Sequence, residues 1–185
     1  MIQSGLIEGE LKSGITQQAI NTAIQSAESG LKTLYISIDL NQHQFLCKCI
    51  YQISGIDPYE LHKGQSKDDE AKVLGALKYL KNLPITFVNV LPSDGTKDDN
   101  DIFIKNIISV CDTAVNQLDV KHIILDKVPQ DVYFSLLREL KTRYMLGKNT
   151  VITLTKTGLK GTPLHFEPFN VPFNSDLSES EKNDE

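Results

Sequence analysis

Hydrophobic residues recur along the chain in two spacings, which predict an alternation of strands and helices. Short apolar and β-branched runs predict strands at residues 5–7, 34–38, 85–91, 121–125 and 150–155, with a further candidate edge strand at 164–166. Apolar positions three and four apart predict helices at 16–29, after Asn41, from Ser66 to before Pro84, and at 102–118 and 131–146. Repeated strand–helix units predict an α/β fold of three layers, with a mainly parallel sheet between helices.

Local sequence also predicts how these helices begin and which face they bury. Asn41 with Gln44, and Ser66 with Asp69, have the spacing of a capping box. The helix after Ser66 is expected to bury Val73, Leu74, Leu77 and Leu80. The helix over 131–146 is expected to bury Phe134, Leu137, Leu140 and Tyr144.

Composition is that of one globular domain followed by a polar tail. Of the 185 residues, 40% are hydrophobic, and the net charge is −5. The last twelve residues contain five acidic residues and one lysine, a net charge of −4. We therefore expect a domain over 1–173 and a disordered, solubilising tail over 174–185, with an acidic peptide for a basic partner as the alternative.

Several classes of protein are excluded by what the sequence lacks. It has no run of about 20 apolar residues for a membrane span, and its N-terminus does not resemble a signal peptide. A cytoplasmic protein without a membrane partner is expected. Cys47, Cys49 and Cys111 are odd in number, and no repeated His or Cys spacing predicts a metal site.

The segment between the first strand and the first helix resembles an altered phosphate-binding loop. Such a loop reads G-x-x-x-x-G-K-[ST]. Gly14 and Thr16 stand at the second glycine and the hydroxyl, whereas Glu8 replaces the first glycine and Ile15 replaces the lysine. Lys12 could compensate partly for the lost charge. The alternative is an ordinary strand-to-helix loop with Thr16 as the N-cap.

In order and spacing, the chain from about residue 4 to 173 resembles the C-terminal motor domain of DnaB-family replicative helicases, within the RecA-like fold. Residues 6–20 are similar to that family's phosphate loop, 33–40 to the strand that ends in the catalytic glutamate, 123–126 to the Walker B strand and 161–168 to the closing hairpin. The resemblance implies that Asp39 stands at the catalytic glutamate and Asp126 at the aspartate that orients Mg²⁺.

The departures from the family's pattern fall on its chemistry. Ile15 replaces the phosphate-loop lysine, and Asp39 is one methylene shorter than glutamate. After Asp126 the chain passes almost directly into the next helix, so the loop that tracks DNA in the family is largely missing. Lys156 and Lys160 stand where the family has basic residues that reach a neighbouring subunit's ATP. We therefore expect Asp39 and Asp126 to be vestigial, with no catalytic residue and no bound cofactor.

These observations favour a non-catalytic protein that contacts a replicative helicase or another replication protein; self-association into a homo-oligomer stays open. One alternative is a weak ATP-binding or ATP-hydrolysing enzyme, in which Thr16, Asp126 and Asp39 act with Lys12 on ATP and Mg²⁺. Another is a nucleic-acid-binding module that uses Lys156 and Lys160. The acidic net charge and the missing loop predict that such binding is weak or absent.

Overall fold

One parallel sheet of five strands organises the part of the chain that the computed structural model describes, residues 6–9, 14–59, 66–91, 97–145 and 150–157. The strands are β1 Leu6–Gly9, β2 Thr33–Ser37, β3 Ile85–Asn89, β4 His122–Val128 and β5 Val151–Thr157. Their order across the sheet is β1-β5-β4-β2-β3. All four neighbouring pairs are parallel, so the predicted parallel sheet is confirmed.

Helices connect these strands, as parallel pairing requires. They are α1 Ile15–Glu28, α2 Gln42–Ser54, α3 Lys67–Lys81, α4 Lys97–Gln117 and α5 Gln130–Leu140, followed by a π-helical turn, Lys141–Met145. Both predicted capping boxes are confirmed: Asn41 pairs with Gln44 at α2, and Ser66 with Asp69 at α3. None of the described helices has the length and apolar character needed to cross a bilayer.

The sheet lies between two layers of helices because alternate side chains of each central strand face opposite sides. Leu34 and Ile36 of β2 pack in a core with α4 and α5. Tyr35, between them, packs in a second core with α1 and α2, which Ile124 of β4 also joins. This arrangement confirms the three-layer α/β fold.

The predicted buried face of α3 is wrong. Leu74 is 59% exposed and Leu77 is 41% exposed. The helix packs on α2 instead, through Val73 and Ala76 against Ile50. The sequence has two apolar stripes one residue apart, and the narrow contact between two helices buries only the stripe that contains the small Ala76.

The predicted face of α5 is also partly wrong. Phe134 is 70% exposed and lies edge-to-face with Tyr133 at 5.3 Å between ring centroids. The buried face contains Tyr133, Leu136, Leu140 and Tyr144. Two apolar stripes share Leu140 and Tyr144, and packing against the sheet selects the one through Tyr133 and Leu136.

Three element boundaries differ from those predicted. Helix α4 begins at Lys97, inside a region expected to be a polar turn, and a hydrogen bond of 2.8 Å from Asn100 Nδ2 to Asp131 Oδ2 links it to α5. The α-helical part of α5 ends at Leu140, before the π-helical turn. Strand β4 continues to Val128, three residues past its predicted end. The candidate strand at 164–166 and the acidic tail lie outside the described residues.

The titratable side chains buried away from the sheet edge are core residues. Cys47, Cys49 and Cys111 are free and buried, and burial raises the pKa of Cys49 and of Cys111 to about 12. Within the described ranges no three His, Cys, Asp or Glu side chains group as metal ligands. His122, at the start of β4, is buried with Nδ1 2.7 Å from Ser26 Oγ and Nε2 2.9 Å from Thr153 Oγ1. Desolvation lowers the pKa of His122 to about 4.

Acid should therefore destabilise the fold through His122. The unfolded chain takes up this proton near pH 6.5, but the folded chain does so only near pH 4. The contribution of His122 is complete above pH 6.5 and is lost as the pH falls toward 4, by up to about 3 kcal/mol. Urea denaturation between pH 7 and pH 4 should show a shallower decline for His122→Gln than for the wild type. Parallel profiles would contradict this assignment.

Candidate functional site

The candidate site lies at the carboxyl ends of β2 and β4, with the start of α1 beside them. Ser37, the last residue of β2, pairs in register with Asp126 of β4. Asp39 follows two residues after Ser37, and Thr16 lies in the first turn of α1. Because neighbouring parallel strands end at the same edge, their ordering brings Thr16, Asp39 and Asp126 together, as predicted.

The start of α1 has the backbone of a tight loop but lacks a cation among its described residues. Gly14 is the N-cap, in the left-handed region at φ 75°, and its carbonyl accepts from Gln18 N at 2.9 Å. A side chain at Gly14 would be strained by this φ. The alternative in which Thr16 caps the helix is therefore wrong. Ile15 is only 7% exposed, so the position of the missing lysine is filled by a core side chain.

The Asp126 carboxylate is fully buried and is hydrogen-bonded by the chain itself. Thr155 Oγ1 donates to Oδ1 at 2.6 Å, and the Tyr35 hydroxyl donates to Oδ2 at 2.9 Å. Burial raises the pKa of Asp126, and the hydrogen bonds offset part of that rise. The Thr16 hydroxyl lies near enough to lower the Asp126 pKa, but its Oγ1 is buried without a hydrogen bond of good geometry to any described residue.

A bulge in β4 follows Asp126. Leu125 pairs with Leu154 of β5, but Val128 pairs with Lys156, so β4 has one residue more than its neighbour over this interval. Lys127 lies in the bulge at φ 61°. Its backbone N–H donates to Thr155 Oγ1 at 2.7 Å. The Thr155 hydroxyl thus accepts from the bulge and donates to Asp126.

The bulge residue also supplies the partner of the second carboxylate. Lys127 Nζ forms an ion pair with Asp39 Oδ2, in which both side chains are about a third exposed. Ser37 Oγ lies 3.4 Å from Asp39 Oδ1 and accepts from Leu40 N at 3.0 Å. A general base must lie within hydrogen-bond reach of the water from which it takes a proton. Since the ammonium group already occupies Oδ2, Asp39 is poorly suited to that role in this arrangement.

Aromatic packing holds the Tyr35 hydroxyl in place. The Tyr35 ring lies 4.6 Å from that of Phe45, which stacks on Phe87 at 4.5 Å. Burial raises the pKa of Tyr35, and the neighbouring Asp126 raises it further. Tyr35 is thus a permanent hydrogen-bond donor to Asp126 at neutral pH.

The described site holds some of the predicted residues and others that the sequence did not indicate. Gly14, Ile15, Thr16, Asp39 and Asp126 are together at this edge. Lys156 lies in β5, paired with Glu8 of β1, and nothing is described of its side chain. Lys12 and Lys160 lie outside the described residues.

Sequence reasoning did not assign Tyr35, Thr155 or Lys127 to the site. The available signal was weak: Tyr35 and Thr155 are hydroxyl-bearing residues in predicted strands, and Lys127 follows Asp126 directly. Their roles depend on strand order and on the bulge, which no local pattern gives.

Comparisons with solved structures identify the fold. The ATPase domain of a DnaB-like helicase matches with a TM-score of 0.60 and 13% identity, over 83% of this chain and 57% of that one. A second solved structure, of a DnaB-like replicative helicase and its interactions with primase, matches with a TM-score of 0.57 and 12% identity, over 83% and 38%. No family model and no curated protein matches the sequence. The chain therefore has the RecA-like fold of DnaB-like helicase ATPase domains and spans only part of their chains, which confirms the predicted resemblance for the fold.

Replacing the buried charge of Asp126 should stabilise the protein. In Asp126→Asn, Oδ1 still accepts from Thr155, and the amide can donate to the Tyr35 hydroxyl oxygen. Since the folded-state pKa of Asp126 is raised, its stabilising contribution is present at acid pH and is lost as the pH rises through that pKa. We expect the variant to be more stable than wild type by about 1 kcal/mol at pH 7 and by less at pH 4.

Thermal unfolding followed by circular dichroism at both pH values measures this difference. Asp126→Ala is the control, because it leaves both donors without their acceptor and should lose about 1–3 kcal/mol. A loss of stability in Asp126→Asn that does not depend on pH would contradict the assignment.

Proposed function

We propose that this chain is a catalytically inactive, helicase-like protein that acts in DNA replication by contacting a replicative helicase or another replication protein. The observation that carries this proposal is that both carboxylates at the sheet edge are bonded to the chain's own side chains. Asp126 is held by Tyr35 and Thr155, and Asp39 by Lys127. These bonds engage the groups that a nucleotide and its metal would need.

The start of α1 supports the same conclusion for phosphate binding. Phosphoryl transfer depends mainly on positioning and on positive charge around the phosphate oxygens. Ile15 offers a buried apolar side chain at the position where a phosphate loop has its lysine. The residues in hand therefore fit ATP and Mg²⁺ poorly, and we propose that neither is a resident cofactor.

Fold similarity supports the choice of partner. One of the similar solved structures is a DnaB-like replicative helicase described with its interactions with primase. A domain of that shape without working chemistry is suited to dock on such a helicase or on its associated proteins. We further propose a cytoplasmic location, weak or no nucleic-acid binding through Lys156 and Lys160, and a solubilising role for the 174–185 tail; self-association remains compatible with these assignments.

A weak ATPase is the second candidate, and one observation favours it. The Thr16 Oγ1 atom is buried near Asp126 without a hydrogen-bond partner among the described residues. A hydroxyl at this place is what a phosphate loop uses to hold Mg²⁺. In this alternative Thr16, Asp126 and Asp39 act on ATP and Mg²⁺, and Lys12 supplies the missing charge.

Titration with nucleotide separates these two functions. Calorimetry of the full chain with ATP and Mg²⁺ should show no saturable heat up to millimolar nucleotide, because Ile15 cannot neutralise phosphate charge. A DnaB-like helicase titrated in parallel serves as the positive control. Saturable binding, together with Mg²⁺-dependent phosphate release that Asp126→Ala abolishes, would establish the ATPase instead.

A binding measurement tests the proposed partner. The chain should co-elute with a DnaB-like replicative helicase at micromolar concentrations, in the absence of DNA. Thr16→Ala and Asp126→Asn should leave the dissociation constant unchanged within about twofold, since inward-facing groups contribute little to an interface. Absence of a complex, or its loss in these two variants, would contradict docking by shape.

A further inference from the structure

The bulge that carries Lys127 has a backbone conformation that needs an explanation. A non-glycine residue at positive φ is uncommon and strained, and Lys127 has φ 61°. Such conformations persist where the surrounding structure imposes them. Here the Thr155 hydroxyl accepts from Lys127 N and fixes the bulge in place.

The bulge determines where the lysine side chain goes. Successive side chains of a regular strand point to opposite faces, which would separate Lys127 from the edge that Asp126 occupies. A bulge re-aims side chains, and in this one Lys127 Nζ reaches Asp39 beyond the end of β2. One inserted residue thus places an ammonium group at the edge shared by two carboxylates.

The charges at this edge explain what the ammonium group does. Asp39 and Asp126 lie close enough for Asp39 to raise the pKa of Asp126, so the two carboxylates repel each other. Ser37 Oγ and Thr16 Oγ1 lie beside them. Two carboxylates with hydroxyls and water match the oxygen ligands that Mg²⁺ and Mn²⁺ take in open sites.

We propose that Lys127 is a tethered counterion, which occupies the place where Asp39 and Asp126 would otherwise hold a divalent cation and so closes this edge to metals. The inference rests on the proposed non-catalytic function and explains how the fold keeps its two carboxylates without a ligand. The positive charge is supplied by the chain itself.

Manganese binding to the full chain tests the role of Lys127. Electron paramagnetic resonance of free Mn²⁺ should show little binding to wild type at millimolar metal. Lys127→Met should bind Mn²⁺ at least about tenfold more tightly, because a unit positive charge near the metal has been removed. Lys127→Arg should behave like wild type, and adding Asp39→Asn to Lys127→Met should abolish the gain.

A matched lysine elsewhere controls for net charge. Lys121 pairs with Asp119 at 2.7 Å, and Asp119 is likewise at positive φ, 57°. Lys121→Met removes the same charge just before the opposite end of β4 and should leave Mn²⁺ affinity at the wild-type value. An equal gain in Lys121→Met, or none in Lys127→Met, would overturn the proposal.

Two further arms keep the result interpretable. If Lys127→Met does not fold, Lys127→Gly removes the ammonium and tolerates the positive φ, and its Mn²⁺ affinity decides the question in the same way. The ATP titration of wild type is independent of this gain. ATP binding by wild type would end the proposed function, whereas failure of the Lys127 variants to gain Mn²⁺ would end only this inference.

Discussion

The buried Asp126 carboxylate is the constraint around which the carboxyl end of the sheet is arranged. A charge without solvent is strongly unfavourable unless it is hydrogen-bonded. Tyr35 and Thr155 supply two donors from the strands on either side of β4. Their bonds tie β2, β4 and β5 together at one point, and the Thr155 hydroxyl also fixes the bulge that carries Lys127.

This network makes the candidate site part of the core. Tyr35 packs on Phe45, which stacks on Phe87, so the donor to Asp126 is held by α2 and β3. Ile15 lies buried at the start of α1 on another side of the same edge. Groups that a nucleotide enzyme leaves available to its ligand are here bonded or packed within the protein. Order at this edge thus follows from folding alone.

The sequence predicted features that depend on local patterns and missed those that depend on register. The two capping boxes were confirmed because a cap needs only residues three apart. The buried faces of α3 and α5 were wrong at Leu74 and Phe134, since each helix offers two apolar stripes and only tertiary packing chooses between them. Asp126 was recognised from its place after an apolar strand. Its donors were not, because strand pairing brings them together from distant positions.

The substitution at Ile15 shows why such a chain can keep its shape while its chemistry goes. Burying an isoleucine side chain contributes about 2 kcal/mol, whereas a lysine at the same buried position would need a phosphate or a carboxylate to offset its desolvation. The apolar residue therefore stabilises the start of α1 without any ligand. Lys127 gives Asp39 a counterion on the same principle. Both changes move a requirement for bound ligand into the polypeptide, which favours stability of the scaffold over turnover.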